Sequence, residues 1–460
     1  MKRILIPVSN SFFSRNFLRN GFATMLKREG WSVIFLAPSE KIAYYKKEFG
    51  CDALFGELPR NEPSTADYFF RKLEGWSIHS RFILLAHLYF LTRPNSKDSL
   101  IARLLIFPIR LLLWQLGRFR LWRAFIRSLF SFTPHHHIRA LLKDYAPDVV
   151  FCPFINLGQE WHFLKEAKKL GIRTVGMTPS WDNFYSKTFL RVQPDALLVQ
   201  TYFMREQAVC YGDYPLENIF VTGVPQYDRF FLGNGIVQRD EFLKSIGVDP
   251  KKKLIVFGCS GKISYESDVA MLPILRGILD RLGLSDSTQV LVRPHPKRVL
   301  AEYVLEKSRR ELNFIAETHL SRLDVSRDPW EFDEHSISFL ANTLAHADVV
   351  ITTCTTFFVE AAIFGKPLVA IGFDIGKEKI YWNSSRRFAE WEHLADIFRT
   401  DGIWRVKSES ELSCAISAYL ANPTLHIAGR KRIVREQAVF TDGKSLERVV
   451  KSLSDIYKLS

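Results

Sequence analysis

Residues 345–367 read AHADVVITTCTTFFVEAAIFGKP, and they bring together side chains suited to a phosphorylated ligand. The short β-branched run at 348–351 fits a parallel strand covered on both faces. Thr352, Thr353, Thr355 and Thr356 then fall at its carboxyl end, where a helix over 357–364 begins. Gly365-Lys366-Pro367 stops that helix and leads into the next strand. A hydroxyl-rich turn entering a helix presents free backbone N–H groups and the positive end of the dipole, which suits a phosphate. Glu360, one turn in, is placed to accept hydrogen bonds from ribose hydroxyls. The plain alternative is a strand–helix–strand unit with capping threonines and a solvated Glu360, and the rest of the chain decides between the two.

Two more strand ends in the second half carry anion-binding chemistry. A strand at 253–257 runs into Gly258-Cys259-Ser260-Gly261-Lys262, which offers backbone donors and a lysine although its spacing is not that of a P-loop. A strand at 289–293 runs into Arg293-Pro294-His295-Pro296-Lys297, whose two prolines stiffen a turn bearing three cationic or hydrogen-bonding groups. In a parallel sheet all three ends share one edge, over one crevice.

In the first half, residues 178–187 read TPSWDNFYSK after a strand at 174–177. Asp182 is a candidate general base there, with Trp181 giving a dry stacking wall that raises its pKa, and the alternative is an Asx turn. The loop at 8–20 follows the first strand, and its Ser9, Asn10, Ser11, Ser14, Arg15 and Arg19 are candidate substrate contacts. A solvated loop is the alternative. No G-x-G-x-x-G occurs in it, so a dinucleotide site is not supported.

The elements that must position these groups are strands alternating with helices, the pattern of doubly wound sheets. With 460 residues, two domains are expected: 1–228, a linker at 229–252, 253–430, and helices at 431–460 that cross back to the first domain. The N-terminus reads as a strand, its apolar run being too short for a signal peptide. Six cysteines are scattered, without a C-x-x-C pair, so they read as reduced core residues and not as zinc or disulfide frameworks. The net charge of +14 calls for an anionic partner.

Much of that charge is concentrated. Residues 99–132 contain Arg103, Arg110, Arg118, Arg120, Arg123 and Arg127, no acid, and mostly Leu, Ile, Phe and Trp. No stretch of 18 residues lacks charge, so no spanning helix is expected. A basic, tryptophan-containing apolar segment of this kind fits the interface of an anionic membrane, with Arg110, Trp114, Arg118, Arg120, Trp122, Arg123 and Arg127 at the headgroups and Pro108 kinking or breaking the helix. The alternative is a core helix whose arginines snorkel outward. Adjacent His135, His136 and His137 cannot all face one ion, and they read as surface loop or phosphate contacts. No recognised nucleic-acid motif appears, so a nucleic-acid partner is not expected.

With these motifs in view, the chain resembles the GT-B glycosyltransferases: α/β, two doubly wound Rossmann-like domains facing across a cleft, here with a helical basic insert at about 83–132. Residues 345–367 resemble the strand–hydroxyl–helix–Glu element of that superfamily. Residues 293–297 and the FTDGK at 440–444 resemble features of CDP-glycerol glycerophosphotransferase-like and UDP-N-acetylglucosamine 2-epimerase-like proteins. SWDNFYSK resembles a loop of bacterial surface-carbohydrate enzymes.

By that resemblance Glu360 binds the donor ribose, and Ser260, Gly261, Lys262, Thr355 and Thr356 bind the phosphates. Arg293, His295 and Lys297 neutralise the departing diphosphate, His295 counting with Asp182 as catalytic. Asn10, Ser11, Arg15, Trp181, Asn183 and Lys187 meet the acceptor. With no D-x-D the resemblance implies no metal and no cofactor. Fixed donors and cations then stabilise the leaving group. It implies a nucleotide-sugar donor, a lipid-linked glycan acceptor and a location on the cytoplasmic face of the plasma membrane. Polyol-phosphate transfer from a CDP donor and nucleotide-sugar epimerisation are the alternative activities. Thr353-Cys354-Thr355-Thr356 departs from the Asp-x-Ser-Ser of the glycerophosphotransferases.

Overall fold

A computed structural model describes residues 2–50, 53–60, 63–92, 98–155, 159–259, 265–295, single positions between 306 and 322, 330–353, 355–376, 379–381 and 384–458. They form two compact units. The first takes Met1–Asp228 and Val439–Ser460, and the second is drawn from the chain between them.

The sheet of the first unit has seven strands: β1 (Lys2–Pro7), β2 (Trp31–Ala37), β3 (Leu54–Glu57), β4 (Val149–Cys152), β5 (Arg173–Met177), β6 (Ala196–Val199) and β7 (Ile219–Val221). Their order is β3-β2-β1-β4-β5-β6-β7 with every pair parallel. Such a sheet needs cover on both faces, which is why its strands read as unbroken apolar runs. Side-chain alternation sends Leu5, Ile34 and Leu36 into a layer with Phe70, Ile126, Phe130 and Phe163. Ile4, Ile6, Val33 and Phe35 face the opposite layer, with Phe22, Leu26, Leu446, Val449 and Leu453.

That opposite layer is completed by the C-terminal helix Ser445–Lys458. Its first N–H groups would be open, and the Asp228 carboxylate accepts from Ser445 at 2.9 Å and Leu446 at 2.8 Å. Gly223, at φ +83, passes so close that a Cβ would lie 2.6 Å from the Ser445 hydroxyl.

In the second unit β8 (Lys253–Gly258), β9 (Thr288–Arg293) and β10 (Ile315–Ala316) are followed by the antiparallel pair β11 (Ser321–Arg322) and β12 (Trp330–Glu331). Then come β13 (Val349–Thr352), β14 (Leu368–Ile371) and β15 (Trp404–Val406). The sheet runs β10-β9-β8-β13-β14-β15, all parallel. Two sequence boundaries move. Residues 229–252 are not a linker but carry helix Arg239–Ser245, whose Arg239 binds Asp348 at 2.8 Å inside the second unit. Helix Ile427–Gln437 also stays in that unit, held by buried Arg430 donating to the carbonyls of Gly365, Leu425 and Pro423.

The insert expected at about 83–132 starts earlier, since helices Thr65–Ser77, Arg81–Thr92, Leu100–Leu116 and Arg120–Ser131 follow one another between β3 and β4. The third runs through Pro108 without breaking. It stops at Gly117, where a Cβ would lie 1.6 Å from the Ser77 carbonyl. The last two helices bend by 106° relative to each other, and no single helix among the described residues is long and apolar enough to cross a membrane.

Candidate functional site

Strand order reverses between β8 and β13 in the second sheet and between β1 and β4 in the first. Open α/β sheets bind ligands at the carboxyl ends of strands at such points. In the second unit the register is direct: Thr352 pairs with Gly258, and Gly258 pairs with Arg293. The three strand ends singled out from the sequence therefore lie side by side. The Thr352 hydroxyl donates to the Gly258 carbonyl at 2.7 Å. Gly258 leaves room for Phe357, whose ring would stand 2.9 Å from a Cβ.

Helix Phe357–Ile363 begins there. Thr355 is half-buried and accepts from the Phe357 N–H at 3.4 Å, Thr356 is exposed, and Glu360 is buried at 7 % exposure. Glu360 is thus no solvated surface acid. Arg293 and His295 are half-buried at the end of β9. Ser260, Gly261, Lys262 and Lys297 lie outside the described residues, as does Cys354.

On the first sheet, the loops after β1, β4 and β5 sit on adjacent strands. Asn10 accepts from the Phe12 N–H at 3.0 Å, which fixes the turn after β1, and its amide donates to the Ser9 hydroxyl at 3.3 Å. Ser11 is buried. Arg15 is turned toward Asn16, at 2.9 Å, and Gln226. In the loop after β5, buried Asn183 donates to the Ser180 carbonyl, and half-buried Trp181 packs on the core. Asp182 forms an ion pair with Lys187 at 2.7 Å. The Asp182 carboxylate thus has a cationic partner and is not held against the stacking wall of Trp181 alone.

Burial at this edge perturbs an acid that the sequence does not single out, Glu160. Glu160 opens helix Glu160–Lys169 after β4, where an acid in a first turn reads as an ordinary dipole complement. Its side chain has no exposure. One carboxyl oxygen bonds the Ser9 hydroxyl, and the other has no partner among the described residues. Burial pushes its pKa up to about 8, while the Ser9 hydrogen bond pulls the other way.

The insert's arginines divide. Arg123 and Arg127 are not headgroup contacts. Asp213 accepts from Arg123 at 2.5 and 2.8 Å and from Arg127 at 2.9 Å. Arg127 also donates to the carbonyls of Leu190, Phe189 and Gly212. Trp114 and Trp122 give their indole N–H groups to the Ser80 carbonyl and the Ser77 hydroxyl. The Arg110 guanidinium lies over Trp76 and Phe90. Arg118 and Arg120 are exposed, beside exposed Phe119, Leu121, Phe125 and Phe132.

The three histidines also divide. His136 and His137 are exposed, whereas His135 is buried and stacks on His162 with ring centroids 3.6 Å apart. Asp67 lies 2.8 Å from His162 Nε2 and 3.7 Å from His135 Nε2, a donor set of a kind that holds transition metals. Lys165 closes the network, donating to His135 Nδ1 at 2.9 Å and to Thr133. The hydrogen bonds already made explain these groups as a staple between the insert and helix Glu160–Lys169.

No family model matches the chain, and no curated protein matches it in sequence. Solved structures do match in fold. A Listeria monocytogenes protein assigned as a UDP-N-acetylglucosamine 2-epimerase has a TM-score of 0.58 at 12% identity, covering 100% of this chain and 98% of its own. The Neisseria meningitidis UDP-GlcNAc 2-epimerase bound to UDP-GlcNAc gives 0.54 at 10% identity, covering 99% and 100%. The epimerase of Methanocaldococcus jannaschii gives 0.54 at 13%, again covering 99% and 100%. Likeness over the full length of both partners, at such low identity, concerns architecture: the chain has the two-unit α/β architecture of the GT-B fold.

Proposed function

We propose that this protein is an enzyme of nucleotide-sugar chemistry. In this reading it moves a sugar from a nucleotide-sugar to a lipid-linked or growing glycan acceptor, without metal, in the building of bacterial surface polysaccharide such as lipopolysaccharide or capsule. The observation that carries the reading is the alignment of Gly258, Arg293 and Thr352 across β8, β9 and β13. It sets the Arg293–His295 turn and the Thr355–Glu360 helix entry on the two sides of the β8 end, as a nucleoside diphosphate requires. A structural neighbour holding UDP-GlcNAc supports the choice of ligand class.

Transfer is preferred to epimerisation because of the insert. An epimerase acts on a small molecule, whereas the exposed Ile101, Leu105, Leu112, Leu121 and Phe132 beside Arg118 and Arg120 suit a cytoplasmic membrane face that presents a lipid-linked acceptor. Epimerisation stays the second reading because the neighbours described above are epimerases.

The test is a thermal-shift panel of nucleotides and nucleotide-sugars without added metal. A ligand that binds only the folded state raises the melting temperature. A shift with one nucleotide-sugar identifies the donor, a shift with CDP-glycerol alone redirects the reading to phosphotransfer, and silence across the panel removes it. Conversion of the bound sugar with no acceptor present would favour the epimerase.

A further inference from the structure

We propose that Ser9 and Glu160 form a proton relay that deprotonates the acceptor hydroxyl at the carboxyl edge of the first sheet. The inference deepens the transferase reading and rests on it. Ser9 and Asn10 are half-buried at the end of β1, and Glu160 lies behind them with no exposure. Hydrogen bonds run from the Asn10 amide to the Ser9 hydroxyl and from that hydroxyl to Glu160.

Among the described residues, the Ser9 hydroxyl from the loop after β1 and the Glu160 backbone N–H bond its carboxyl, the Cys152 thiol of β4 bonds its backbone carbonyl, and none of these is cationic. An uncompensated buried carboxyl costs stability. Glutamine could accept the same hydrogen bond from Ser9 without that cost, so what the carboxyl adds is a proton-binding site.

The step balances. As the acceptor oxygen attacks the anomeric carbon of the donor sugar and the bond to the diphosphate breaks, the acceptor O–H proton passes to Ser9 Oγ. The Ser9 proton passes to the Glu160 carboxylate. The electron pair leaves with the nucleoside diphosphate, and Glu160 later returns the proton to solvent through Ser9. Glu160 is a positioning and proton-storing residue, since it acts through Ser9 and does not touch substrate. Asp182, tied to Lys187 at 2.7 Å, is the less suitable base.

Two experiments on the full chain test this. The first needs no substrate: melting curves of wild type and Glu160→Gln from pH 5 to pH 9. Burial raises the folded pKa from 4.5 to about 8. The stability Glu160 contributes is therefore full below its unfolded pKa and is lost as pH rises toward 8. The amide has no such loss, so the variant should gain on wild type across that window; parallel curves overturn the proton-binding role.

The second follows nucleoside diphosphate release from the nucleotide-sugar that gives the largest thermal shift, with water standing in for the acceptor. Wild-type turnover should rise with pH through about 8. Glu160→Gln should lower it by about 100-fold or more and flatten the profile, while Glu160→Asp restores part of both. An unchanged rate and profile in Glu160→Gln, with the thermal shift retained, sinks the relay and leaves the transferase reading standing. Loss of every nucleotide-sugar shift in the wild type sinks that reading and the relay with it.

Discussion

Helices Leu100–Leu116 and Arg120–Ser131 share one composition, rich in Leu, Ile, Phe, Trp and Arg and free of acids, yet they sit differently. None of the residues in the first is buried, and its Arg110 rests on aromatic faces. The second buries Arg123, Ile126 and Phe130 and delivers two arginines to Asp213. A basic, apolar stretch can thus be half surface and half core. What separates the halves is one carboxylate placed elsewhere in the chain.

Breaking the core half should have the largest effect. Asp213→Leu leaves Arg123 and Arg127 without their carboxylate, and stranding one partner of a buried pair costs about 3–5 kcal/mol. The melting transition of the first unit should fall accordingly in a denaturant or thermal scan. An unchanged transition would mean that the backbone carbonyls around Arg127 suffice alone. Both hydrogen bonds and ion pairing hold Asp213 below the usual carboxylate range, although burial opposes them. Its contribution should therefore be present above the ordinary Asp pKa and disappear as pH falls through its lower folded value.

Neutralising the exposed arginines at the junction of the two helices should leave stability alone and act on membranes. Basic residues near an anionic surface contribute about 1 kcal/mol each. Arg118→Gln with Arg120→Gln should then weaken binding to phosphatidylcholine vesicles containing phosphatidylglycerol by roughly 30-fold. Sedimentation with vesicles reads this directly, and equal binding of variant and wild type would remove these residues from any headgroup contact. The melting curve of the same variant should shift by less than about 0.5 kcal/mol.

The smallest effect sharpens the contrast from the second unit. Glu360→Ala should lower affinity for the donor found in the thermal-shift panel by roughly tenfold, the loss of a single charged hydrogen bond. Calorimetry with an unchanged affinity would take Glu360 out of the site.

What the sequence made legible follows the range of the interactions. Strand runs and the loops after them are local patterns, so the doubly wound units and the three aligned strand ends could be read from residues 253–258, 288–293 and 349–352. The partners of the insert's arginines could not, because Asp213 lies 90 positions from Arg123 and nothing near the arginines announces it. His135 was misread for the same reason, its partners being Asp67 and His162. Glu160 stayed hidden because a helix-opening acid is usually solvated, and only the packing of Ser9 against it makes it unusual.

The C-terminal helix has a consequence for biosynthesis. Leu446, Val449 and Leu453 fill the same layer as Ile4 and Phe35, and Asp228 waits for N–H donors that are translated after the second unit. A ribosome making this chain therefore releases the whole second unit before the first can close. Until then one face of the first sheet is only partly covered, and a truncation that removes helix Ser445–Lys458 should leave a nascent product that chaperones retain and proteases clear.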